Sequence, residues 1–277
     1  TEARALDDAS LEYFFYQTLL GSYPSTADFP LPEYRERLRG AMTKAAREAR
    51  RRTSWARPNE EYEAHLMALI DAALHSPPFM EDFRPFQQRV ARAGAENSLV
   101  QTLLKLTLPG VPDIYQGAEL WDLSLVDPDN RRPVDYAWRA GLLQDLIAQW
   151  ERVPYATLRD AAGHWQDGRV KLLLTTLLLR LRQSDPAVFE GEYLPWEIAD
   201  AGPEVVAFQR RSTSGVLFVA FARFPFARAR ETNWRIDLPE APGAWHDVLT
   251  RETVPGSGFE WRAEPGLPLT VLLSRAT

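Results

Sequence analysis

The apolar positions change period once along the chain, from helical spacing to alternation, and the change falls near Gly191. Before it, the sequence predicts helices. Leu11–Leu20 is aromatic-rich and is stopped by Gly21 and Pro24. Pro32 suits a first helical position, after which Tyr34, Leu38, Ala41, Ala45 and Ala49 recur on one face. Asn59 caps a third helix with the stripe Tyr62, Leu66, Leu69, Ile70 and Ala73. Phe79, Phe83, Phe86 and Val90 make a fourth stripe, which Pro85 interrupts, so that helix is expected to kink or to start near the proline. Leu99–Leu108 continues as an apolar helix.

Val111–Tyr115 lies between Pro109-Gly110 and Gln116-Gly117 and reads as a short buried strand. Trp138, Leu142, Leu146, Ile147 and Trp150 predict a helix ended by Pro154. Arg169–Arg182 is apolar on nearly every side, as in helices buried within a larger assembly. Beyond Gly191 the strands Glu204–Arg211, Gly215–Ala222, Asn233–Leu238, Ala244–Leu249 and Leu269–Ser274 predict a β-sandwich.

Composition narrows the picture. With 277 residues, 45% of them apolar and 25% charged, the chain is long enough for two domains or one barrel with substantial cores. A net charge of −6 argues against a general nucleic-acid protein, and the cluster Arg47, Arg50, Arg51, Arg52 and Arg57 reads as a solvated helix face. The absence of cysteine excludes a disulfide framework and thiolate metal sites, which fits a cytoplasmic location. The longest apolar run, Leu172–Leu179, falls short of the ~20 residues of a span, so no membrane segment is expected. His65, His75, His164 and His246 are isolated, and no phosphate-loop, dinucleotide, zinc-protease or serine-hydrolase motif occurs, so neither metal nor cofactor is expected.

The chemistry concentrates in Asp127, Asp129, Asn130, Arg131 and Arg132, with Pro128 and Pro133 restricting the backbone. Carboxylates that accept from hydroxyls and guanidinium forks that donate to oxygens suit a sugar. The alternative is an Asx-turn loop whose arginines and aspartates pair with one another.

The stretch Leu104–Leu120, which contains Pro109-Gly110-Val111-Pro112-Asp113-Ile114-Tyr115-Gln116-Gly117, resembles the α-amylase superfamily (glycoside hydrolase family 13). Leu125–Asp135, with Asp127-Pro128-Asp129-Asn130-Arg131-Arg132-Pro133, is similar to the maltooligosyltrehalose synthases within it, as is Thr53-Ser54-Trp55 followed by Pro58-Asn59 and Tyr62-Glu63. The resemblance implies a multidomain α+β chain. A helical subdomain spans 1–92, the last β/α unit of an incomplete (β/α)8 barrel spans 93–188, and an antiparallel β-sandwich domain spans 189–277.

It also implies that the chain is the carboxy-terminal portion of a larger enzyme, with the missing amino-terminal part as its partner and malto-oligosaccharide as substrate. The enzyme would turn the reducing-end α-1,4 linkage into α,α-1,1 by intramolecular transglucosylation. Retaining transfer uses two carboxyls about 5–5.5 Å apart. In the family these lie on earlier barrel strands, no matching motif occurs between Thr1 and Leu108, and so no catalytic residue is assigned to this chain. The expected substrate-binding residues are Asp127, Asp129, Asn130, Arg131 and Arg132, with Tyr115, Gln116 and Glu119 as supports. Trp55 either stacks on a glucose ring or packs against neighbouring helices. Another α-glucan hydrolase or phosphorylase, and a carbohydrate-binding or structural module, stay open.

Overall fold

The Asp8 carboxylate accepts from the Leu11 backbone N–H at 3.1 Å and opens α1 (Ala9–Ser22). This computed structural model describes residues 8–26, 29–199, 201–227, 233–264 and 266–276. They fall into one unit of residues 1–91 and 122–134 and another of residues 92–121 and 135–277.

In the first unit, α2 (Leu31–Ala49) carries Pro32 within its first turn, and α3 (Glu60–His75) starts at Asn59, whose Oδ1 accepts from Tyr62 N at 3.1 Å. Phe15, Leu19, Leu38, Met42, Leu66 and Ile70 are fully enclosed in one core. Tyr23, Phe29, Tyr34 and Phe83 meet edge to face there, with ring centroids 5.1–5.9 Å apart. The buried Tyr34 hydroxyl pairs with that of Ser22 at 2.9 Å. The buried face of α2 is Tyr34, Leu38, Met42 and Ala46, not the alanine row Ala41, Ala45 and Ala49, of which Ala49 is exposed. Met42 covers more apolar surface than any alanine, so it decides which face turns inward.

The next helix, α4 (Pro77–Thr107), begins well before Pro85 and runs through it. The proline forfeits one intrahelical bond, while Phe79 and Phe83 stack at 5.4 Å in the preceding turns. No helix among the described residues is long and apolar enough to cross a membrane.

The second unit contains α5 (Tyr136–Arg152), α6 (Pro154–Gly163), α7 (Arg169–Ser184) and the short α8 (Pro186–Glu190). Pro154 ends α5 as expected and also opens α6, because a proline at the first helical position loses no intrahelical bond. Of the α5 stripe, Leu146, Ile147 and Trp150 are buried, but Trp138 in the first turn is exposed.

The strand expected at Val111–Tyr115 does not form. That segment is irregular, and Val111 is 96% exposed rather than buried. A strand of a parallel sheet needs neighbours for its N–H and C=O groups, and every strand pairing among the described residues is antiparallel and lies beyond residue 191.

The sheet region lies where strands were expected. β1 (Glu192–Trp196), β2 (Val205–Ser212), β3 (Gly215–Ala222), β4 (Trp234–Ile236), β5 (Trp245–Asp247), β6 (Thr253–Val254), β7 (Phe259–Trp261) and β8 (Leu269–Arg275) succeed one another. The long β2, β3 and β8 are buried almost throughout and do not alternate. Six of them form an antiparallel sheet in the order β1-β2-β3-β8-β5-β6, and β4 pairs with β7 in a second, two-stranded sheet. Val205, Ala207, Val216, Phe218, Ala220 and Leu272 of the large sheet share a core with Trp234, Ile236 and Trp261 of the small one. β3 is buried on both faces, and α8 packs on β2 and β3. At Gly191 a Cβ would lie 2.2 Å from the Arg211 carbonyl oxygen, so only glycine lets β1 approach β2 there.

Arg210, only 2% exposed, joins the sheet to the helices of this unit. Its guanidinium donates to the carbonyl oxygens of Thr107 (3.1 Å), Gly191 (2.8 Å) and Phe189. Arg182 donates alongside it to Leu106 O (2.9 Å) and Gly110 O (3.1 Å). Cations suit this place, because the last carbonyls of α4 carry the negative end of the helix dipole. Burial, and then the Arg182 charge, pull Arg210 below the usual arginine value. Replacing Arg210 by Leu relieves that desolvation but strands three carbonyls. The net loss is expected to be about 2–4 kcal/mol. Urea unfolding checks it, and a variant as stable as the parent would show that the cation's contacts only balance its burial.

Candidate functional site

Residues 122–134 belong to the first unit, and the helix that fixes them is α2. Asp129 sits at the start of a single 3-10 turn, Asp129–Arg131, and its carboxylate faces inward. Arg37 grips it with a two-pronged contact, Nε to Oδ1 and Nη2 to Oδ2, both at 2.8 Å. Leu125 N donates to Oδ2 at 2.7 Å, and Arg132 Nε lies 3.0 Å from Oδ1. Burial works to raise the Asp129 carboxyl, but the Arg37 fork, the Leu125 N–H and Arg132 together hold it below its ordinary value. Asp127 is held the same way on the surface: Lys44 Nζ reaches its Oδ1 at 2.8 Å and its carbonyl at 2.9 Å. The Lys44 ammonium is the main reason that its carboxyl is lowered.

Both aspartates are therefore paired chiefly with α2, and the pairs made within the loop itself are Arg132 with Asp129 at 3.0 Å and Arg131 with Asp127 at 3.4 Å. What the loop turns outward is cationic. The Arg131 side chain is 68% exposed, with one loose contact to Asp127 at 3.4 Å. Arg132 is half exposed and reaches Glu33 at 3.4 Å. The Asn130 side-chain oxygen is enclosed without a hydrogen-bond partner. Glu33, Arg37 and Lys44, which the sequence reading passed over, are spaced by four and seven positions and so share one face of α2. That charged face was the available signal.

Tyr115, Gln116 and Glu119 belong to the second unit. Ala118 N donates to Tyr115 O at 3.0 Å, which closes a turn with Gly117 at φ 87°. Arg139 of α5, another residue the sequence reading missed, contacts Glu119 Oε2 at 2.6 Å and Gly117 O at 2.9 Å. Tyr115 and Gln116 are left exposed. Trp55 is exposed in the first unit, with the Arg47 guanidinium 4.8 Å from its ring centre. Among the described residues no three or more histidine, aspartate or glutamate side chains are grouped to hold a metal ion.

Comparison with known proteins adds a family to this geometry. A family model described as alpha amylase, C-terminal all-beta domain, matches residues 196–265. A putative maltooligosyl trehalose synthase of Mycobacterium tuberculosis is 34% identical over 271 residues, which cover 96% of this chain and 32% of the relative. The chain is homologous to part of the maltooligosyl trehalose synthases. The maltooligosyltrehalose synthase structure from Arthrobacter ramosus is 31% identical, with a TM-score of 0.75 over 95% of this chain and 32% of that one. For the hypothetical maltooligosyl trehalose synthase of Sulfolobus tokodaii the values are 30% and 0.69, over 95% and 32%. The chain thus spans about a third of the length of the synthases it matches.

The Asp129 clamp has a pH signature. Its folded-state value lies below the unfolded one, so the stability it adds is present at neutral pH and is lost as pH falls from about 4 through the folded value. Unfolding midpoints measured from pH 6 downwards should drop more steeply for the parent than for Asp129→Asn. Equal slopes would mean that the clamp contributes nothing.

Proposed function

We propose that this chain supplies one wall of the substrate cleft of a maltooligosyl trehalose synthase. The supporting observation is the identity along nearly the whole chain to proteins about three times as long. On this reading the domain limits are 1–92, 93–188 and 189–277, and Val111–Tyr115 becomes the closing strand of a (β/α)8 barrel once parallel neighbours are present. The two reacting carboxyls are then contributed by other parts of the longer polypeptide, which acts in the cytoplasm on malto-oligosaccharides.

The reaction exchanges one glycosidic bond for another. A carboxylate nucleophile forms a glycosyl-enzyme that carries the remainder of the oligosaccharide as the reducing-end glucose leaves. That glucose turns and attacks through its anomeric hydroxyl, so the α-1,4 linkage becomes α,α-1,1. Water competes with the freed glucose, and a wall that holds glucose in place raises its effective concentration over water. The Asp127–Arg132 loop suits that task because Arg37 and Lys44 already hold its aspartates. Its outward guanidiniums can then donate to sugar oxygens without reorganising the backbone. In the other unit, Tyr115, Gln116 and Glu119 are proposed to meet sugar on their own account, with Glu119 set by Arg139.

Separation of the products from maltopentaose tests the reading on the full-length polypeptide. A trehalosyl-ended product of unchanged length is expected, and glucose with maltotetraose instead would make the enzyme a hydrolase. In the same protein, Arg131→Lys removes the planar fork but keeps the charge. It is expected to cost ~1–3 kcal/mol in kcat/KM. Unchanged kcat/KM would remove Arg131 from the wall.

A further inference from the structure

Trp55 is 58% exposed, although most tryptophans in folded proteins are largely buried. Its surroundings are hydrogen-bonded to one another. Thr53 and Asn59 bracket the turn, with Thr53 Oγ1 accepting from Asn59 N at 3.0 Å and donating to Glu63 Oε1 at 2.6 Å. Ser54 and Arg57 exchange two backbone hydrogen bonds, each 3.2 Å, across the ring's own position. Glu63 in turn grips Arg47 with two contacts of 2.8 and 2.7 Å, which aim the Arg47 guanidinium at one face of the indole. The indole N–H makes no hydrogen bond among the described residues.

The result is an aromatic plate with one face backed by a clamped cation, while more than half of its surface stays available to solvent and its one donor has no partner among the described residues. Such a plate matches a pyranose: the C–H face excludes water against the ring, and a hydroxyl accepts from the N–H. Because Arg47 is held by Glu63 rather than by the ring alone, little rotamer freedom remains to be lost on binding.

We propose that Trp55 is a stacking platform for an α-1,4-linked glucan chain, backed by Arg47 of α2. The choice of α-glucan over other sugars rests on the function proposed above; the platform rests on the local geometry. Trp138, exposed on α5 with no cation over its ring among the described residues, provides an internal control.

The test is an indole 1H–15N titration of this chain with maltoheptaose, the Trp55 signal being identified by its loss in Trp55→Phe. The Trp55 signal should shift saturably and that of Trp138 should not. Cellohexaose should bind about tenfold more weakly. In Arg47→Ala, with the helical content unchanged, affinity should fall at least about threefold as the ring loses its backing. A stationary Trp55 signal, an equal response from Trp138, equal binding of cellohexaose, or undiminished binding by Arg47→Ala would each overturn the proposal. The readout is binding and not conversion, so a negative result here leaves the transglucosylase reading to its own product assay.

Discussion

A charged group taken out of water must recover its hydration from the protein, and in the sheet-bearing unit Arg210 does so through its two terminal nitrogens without a carboxylate, its Nε staying unpartnered. It finds backbone carbonyls at the end of α4, at α8 and at the start of β1, three places that have to be next to β2 for those bonds to exist. Hydrophobic burial alone would allow the helices to slide over the sheet, since apolar contact is non-directional. The guanidinium adds direction. Around it the register of β1 on β2 is tight enough to require glycine at 191, and Trp150 adds another directional tie by donating to Leu249 O at 2.6 Å.

The same logic, with opposite charge, organises the loop of residues 122–134 in the helical unit. An isolated loop rich in aspartate and arginine could collapse onto itself in many ways, and α2 removes that freedom by supplying Arg37 and Lys44 from one face. The carboxylates become anchors and the arginines become the presented chemistry. This reverses the emphasis that a sugar-binding loop suggests on composition alone, where acidic and basic side chains count equally.

The helices and most strands were readable because local signals agreed: Asn59 caps α3, Pro154 separates α5 from α6, and the unbroken apolar run of β3 coincides with its pairing on both edges. The failures have physical causes. Val111–Tyr115 has the composition of a strand but no neighbours to pair with, and strand formation is a property of a ladder rather than of a segment. Trp138 lies on the apolar stripe of α5 yet is exposed, because periodicity reveals which side of a helix is apolar and not how far along it the partner extends. β1, β6 and β7 are short, and Pro195 within β1 argues against a strand unless the strand is at an edge, which is where β1 lies. At the loop, the side chains were visible in the sequence, but their partners Arg37, Lys44 and Arg139 are distant along the chain.

The unpaired run around Val111 has a practical corollary. Backbone donors and acceptors that no ladder occupies, beside side chains as apolar as Val111 and Tyr115, offer a template on which another polypeptide can add itself edge to edge. A second copy of the molecule is one such polypeptide, so keeping its solutions dilute and cool is the practical safeguard.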